Sequence, residues 1–172
     1  MIAKPWRFLL RRISESLSIP CSAFLYALPS SVEASEEIQI HTELGKCFSF
    51  FTDLVNIGAC IPGCEQVVPQ DSLNATFKVK LKIGYISKIF ELRAKLIDIR
   101  PKEHVSFAGE SPDAEITGKV DFVKDDLVTI KYSIEIKPIS ITGRTAISMM
   151  GKDLVTKQAS EFAACVKERL EL

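Results

Sequence analysis

A chain of 172 residues that is 47% hydrophobic and 26% charged can build one sizeable core and is too apolar to be disordered. Its 22 basic residues are cancelled by 22 acidic ones, which argues against a nucleic-acid partner, whose phosphates demand a net basic face. Nowhere do about 18 apolar residues run together, so no membrane-spanning helix is expected.

The five cysteines, Cys21, Cys47, Cys60, Cys64 and Cys165, form an odd and scattered set. Secreted disulfide scaffolds carry dense, even sets in much shorter chains. Mostly reduced thiols and a cytoplasmic location are therefore the expectation.

Residues 1–36 differ from everything after them and are expected to form an N-terminal extension. Lys4, Arg7, Arg11 and Arg12 precede an apolar stretch interrupted by Pro20, the outline of a poor secretory signal. Trp6, Leu9, Leu10, Ile13 and Leu17 also share one stripe at helical spacing, as an interfacial helix making peripheral membrane contact through residues 1–20 would require. A helix packed on the domain, or a partly ordered extension, is the third reading. All three stay open.

Residues 37–172 read as one domain. "IQIHT" (38–42) is a short strand, and "LGKCFSFFTDLV" (44–55) is helical, with Cys47, Phe48, Phe51 and Leu54 on one stripe. The turn "ACIPGCEQV" (59–67) then places two cysteines four residues apart. A structural zinc site needs a second pair of ligands, and His41 and His104 are isolated from it. The turn reading is favoured: Pro62 stops the helix, Gly63 supplies a positive φ and Cys64 starts a strand. A Cys60–Cys64 disulfide across the turn stays open beside it.

Strands follow in close order. "EQVVP" (65–69) precedes "FKVKLKI" (77–83), where Phe77, Val79 and Leu81 alternate with Lys78, Lys80 and Lys82. Phe90, Leu92, Ala94 and Leu96 form the next face, and "HVSFAG" (104–109) is shorter. Ile116, Gly118, Val120 and Phe122, then Val128, Ile130, Tyr132, Ile134 and Ile136, complete the set. Tight turns at Gly84-Tyr85, Arg100-Pro101-Lys102, Ser111-Pro112-Asp113 and Lys124-Asp125-Asp126 imply an antiparallel meander. A helical period runs from Thr142, the expected N-cap, through Ile147, Met150, Leu154, Phe162 and Val166 to Leu170, roughly 40 Å at the usual rise. The predicted fold is α+β: a strongly curved antiparallel sheet wrapped around one long C-terminal helix, with an apolar space between them.

Five stretches carry a family resemblance. "D-x₆-CIPGCE" (53–65), "VKLKIGYISKIF" (79–90), the pair Gly109 and Gly118, "TIKYSIEI" (129–136) and "MMGKDLV" (149–155) occur in the order expected of the CoxG family. The sequence thus resembles the accessory G component of carbon-monoxide dehydrogenase, within the START-like (SRPBCC) superfamily. Leu54 stands where relatives usually have proline. The chain ends at Leu172 without the tail, sometimes a membrane anchor, of many bacterial relatives, which counts against recruitment by that route.

The resemblance implies a helix-grip domain whose cavity holds a small hydrophobic ligand, lipid- or quinone-like. It also implies a non-catalytic role accessory to carbon-monoxide dehydrogenase or a related molybdenum hydroxylase, with no cofactor of its own. The alternating pattern independently places Phe77, Val79, Leu81, Phe90, Leu92, Phe107, Val120, Phe122 and Ile134 inward. Ile147, Met150 and Leu154 should meet them from the helix, with the Tyr132 hydroxyl available to orient a ligand. Solid core packing is the plainer alternative. Two other classes are weighed: a polyketide cyclase or aromatase-like enzyme on the same fold, and a pure protein-docking module. The enzyme needs an acid or base inside the pocket. Glu91, Asp121 and Glu135 have outward parity, and neither His41 nor His104 is placed inside, so no catalytic residue is named. The docking module would use the basic strands from Lys78 to Lys102 and the acidic stretch from Glu110 to Asp126.

Overall fold

The computed structural model describes residues 31–83 and 85–172. The signal-like and amphipathic readings fall on residues 1–30 and lie outside the described residues, as does Gly84 of the expected turn. The elements are β1 (Val32–Ile40), α1 (Leu44–Thr52), α2 (Leu54–Cys60), β2 (Cys64–Pro69), β3 (Asn74–Ile83), β4 (Ile86–Arg100), β5 (His104–Glu110), β6 (Ala114–Lys124), β7 (Val128–Pro138) and α3 (Ile141–Glu171). The seven strands form one antiparallel sheet in the order β1-β7-β6-β5-β4-β3-β2. From β2 onward each strand pairs with its successor, as short turns between alternating segments dictate. Only β1 departs from chain order, closing against β7. The architecture is the expected α+β helix-grip arrangement.

Four boundaries differ from the sequence expectation. The first strand starts at Val32 rather than Ile38, inside the stretch read as an extension. Val32, Ala34, Ile38 and Ile40 are buried at period two, but Glu36 occupies the inward position between them and breaks the pattern. The helical zone read over 44–55 extends to Cys60, as two short helices. Asp53 leaves helical geometry, and its Oδ1 accepts from the Val55 and Asn56 backbone N–H groups at 2.8 and 3.4 Å, capping α2.

The N-cap of α3 is Ser140, not Thr142: its Oγ accepts from the Gly143 N–H at 2.9 Å and donates to Asp113 Oδ1 at 2.7 Å. Finally, the single long helix is interrupted at Gly151, with φ 66° and ψ 166°. A Cβ there would meet nothing within 4 Å, so glycine is required by backbone conformation and not by crowding.

The Pro-Gly turn behaves as read. Gly63 has φ 78°, and a Cβ on it would lie 2.3 Å from the Lys80 carbonyl oxygen. The Lys80 N–H donates to Gly63 O at 2.8 Å, fastening the turn to β3. The cysteines do not. Cys60 is bonded to Cys165 of α3, 105 residues away, not to Cys64. Cys64 is a free, half-buried thiol whose pKa is raised by burial. The disulfide departs from the expectation of reduced thiols at Cys60 and Cys165, whereas Cys47 and Cys64 are free.

Part of the core forms where α1 and the C-terminal half of α3 meet the sheet. Ile40, Cys47, Ile130 and Val166 are fully enclosed there. Phe51 sets its ring edge-on to Phe122 and Phe162, with centroids 5.7 and 6.3 Å apart.

Candidate ligand-binding cleft

Alternation along each strand brings the residues named from the sequence to one concave face, but they divide into two groups. Phe77, Val120, Phe122, Tyr132 and Ile147 are buried, as core residues are. Val79, Leu92, Phe107, Ile134 and Met150 are half-buried and pack on the edge of that core, with Leu81, Phe90 and Leu154 half-buried beyond it. This second group lies on β3, β4, β5 and β7 and on α3 near the Gly151 break. The helix packs chiefly along β1, with lesser contact to β7 and β3, so β4 and β5 carry apolar side chains that its backbone does not closely cover.

Two glycines shape the floor of this region. A Cβ on Gly118 would lie 2.2 Å from the Phe107 ring, and one on Gly109 would lie 2.9 Å from a Leu92 methyl. Each large side chain lies over the glycine of the neighbouring strand, in register Phe107↔Gly118 and Ala94↔Gly109. Glycine here makes room for a neighbour's ring or methyl groups.

Polar groups on the concave face are few and mostly occupied. The Tyr132 hydroxyl, expected to be offered to a ligand, donates to the Ala159 carbonyl and ties the sheet to α3. Burial raises its pKa well above the usual phenol range, with the nearby Glu36 carboxylate adding to the effect. Glu36 faces Tyr132 across the β1–β7 ladder and accepts from Ser160 Oγ at 2.6 Å. The sequence reading missed Glu36 because it assigned that residue to the extension.

At the outer end of the face, Lys88 shares the inward parity of Phe90, with Nζ 4.9 Å from its ring centroid. It also contacts Asp113 Oδ2 at 3.1 Å. Counting back by two from Phe90 would have found Lys88 in the sequence. His104 and Asp121 do meet, Nδ1 to Oδ1 at 2.6 Å, but on the convex face. Two surface depressions, of about 420 and 230 Å³, also lie away from the cleft. Glu115, Thr117, Glu135 and Lys137 help line the first, and Thr52 to Val55 help line the second.

Comparison with known proteins places this arrangement among START-like folds. A conserved protein from Geobacillus kaustophilus superposes with a TM-score of 0.63 at 16% identity, covering 81% of this chain and 93% of its own. A START superfamily protein from Mycobacterium smegmatis gives 0.61 at 9%, covering 81% and 97%. The Zhui aromatase/cyclase from Streptomyces sp. R1128 gives 0.58 at 9%, covering 82% and 94%. Identities this low establish the shared fold alone. Among curated proteins none matches the sequence. The family model for CoxG, the G component of carbon monoxide dehydrogenase, matches residues 36–171, and the chain belongs to the CoxG family. Among the described residues no helix is long and apolar enough to cross a membrane.

Proposed function

We propose that this CoxG-family chain binds a small hydrophobic molecule, lipid- or quinone-like, in the cleft between the concave sheet and α3. It would do so without chemistry of its own, as an accessory to carbon-monoxide dehydrogenase or a related molybdenum hydroxylase. The observation that carries the reading is the incompletely covered apolar surface of Val79, Leu81, Phe90, Leu92, Phe107 and Ile134. A core without a ligand role would bury such side chains at native packing density. An interior that opens toward solvent on one side instead suits an apolar guest.

The cyclase or aromatase alternative draws on fold neighbours that include such enzymes. It would need a general acid or base in the cleft. Glu36 and Tyr132 are engaged with α3, and the His104–Asp121 pair is on the opposite face.

Native mass spectrometry of the purified full chain tests the proposal. A hydrophobic adduct that disappears on extraction is the expected result. A protein that is empty from every preparation and does not shift when incubated with menaquinone or phospholipid would overturn it. Co-purification with a molybdenum hydroxylase tests the accessory role separately.

A further inference from the structure

The basic residues of β3 and β4 do not all share one face. Lys78, Lys80, Lys82, Arg93 and Lys95 have outward parity, whereas Lys88 pairs with Leu81 across the hairpin and lies on the concave side. Its ammonium sits over the Phe90 ring at 4.9 Å, at the rim of the apolar surface. One of its three N–H donors is directed to Asp113 Oδ2 at 3.1 Å, and among the described residues the other two meet no acceptor. Asp113 is itself fixed: Ser140 donates to its other oxygen, and its backbone carbonyl accepts from the Ile139 N–H at 3.0 Å. The Ser140 hydrogen bond and then Lys88 hold the Asp113 carboxyl below the usual range, so it carries its charge at neutral pH.

We infer that Lys88 is the polar anchor of the cleft, and that the ligand it selects is a neutral apolar molecule ending in a carbonyl oxygen. This rests on the cleft being the ligand site. A ketone or quinone oxygen would accept one of the spare Lys88 donors while the body lies on Phe90, Leu92 and Phe107. A carboxylate is disfavoured because Asp113 already neutralises Lys88 and would repel a second anion beside it. A plain hydrocarbon gains nothing from the lysine.

Displacement of the neutral fluorophore N-phenyl-1-naphthylamine from the full chain by undecane, 2-undecanone and decanoate tests this. In Lys88→Met, which keeps the apolar stem, 2-undecanone should weaken by about fivefold while undecane is unchanged. Lys88→Arg, which keeps charge and donors, should restore the ketone. Equal change for ketone and alkane, or no change for either, overturns the anchor while leaving the cleft standing. A larger loss for decanoate than for the ketone overturns the preference for a neutral ligand. If neither ketone nor alkane displaces the fluorophore from the wild type, the cleft reading falls and the anchor falls with it.

Discussion

Cys60 and Cys165 are separated by 105 positions in the chain and by 5.4 Å between Cα atoms, and a disulfide joins the last residue of α2 to the final turns of α3. Closing so long a loop removes much unfolded-state entropy. Replacing both residues with alanine should cost roughly 2–4 kcal/mol in chemical denaturation. Dithiothreitol should destabilise the wild type by a similar amount and leave the double variant unmoved. A peptide map showing both thiols free in the native protein would remove the basis of this prediction.

The hydroxyl of Tyr132 and the carbonyl of Ala159 form a buried tie between sheet and helix. Tyr132→Phe should cost about 1 kcal/mol at neutral pH. Because burial raises the folded-state pKa, the unfolded chain ionises first. The contribution is complete below about pH 10 and declines as pH rises further. The alkaline fall in the urea midpoint should therefore be shallower in Tyr132→Phe than in the wild type.

Gly118 leaves the room that the Phe107 ring occupies. Gly118→Ala should destabilise by about 1–3 kcal/mol through overpacking. Combining it with Phe107→Leu should cost less than the sum of the two single changes, a coupling that a double-mutant cycle measures. Strict additivity would mean that the ring moves aside freely.

Asp113 joins the β5–β6 turn to the start of α3 and to Lys88. Its carboxyl pKa is lowered, so its contribution is complete above about pH 4 and is lost as pH falls through the folded-state value. Asp113→Asn should lose about 0.5–1 kcal/mol at neutral pH, given the exposure of Lys88. The difference from wild type should narrow on acidification, as denaturation midpoints measured across that range would show.

Most of the sheet was legible because alternation is a local property, and β3 to β7 keep it almost without interruption. β1 was cut short by one inward carboxylate, Glu36, which interrupts the same signal. The disulfide could not be read: nothing along the chain relates Cys60 to Cys165, and the nearer Cys64 was the partner that local spacing suggested. The Gly151 break was marked only by a glycine, which helices tolerate at about 1 kcal/mol. The strand residues of the cleft share one face by register, as alternation implies. Their division into buried and half-covered groups was not legible, because it depends on where α3 crosses the sheet.

The pairing of β1 with β7 has a consequence for synthesis. The meander from β2 to β7 can zip up strand by strand as it leaves the ribosome, since each pairing is between sequence neighbours. The first strand has no such neighbour. Its ladder partner, running from Val128 to Ile136, is translated nearly a hundred residues after it. Its apolar face stays uncovered longer still, until α3, which packs along it, follows, a long-range closure that is slow and exposed to aggregation. Nascent-chain holdases should therefore engage the chain early and let go only once the C-terminal helix has emerged.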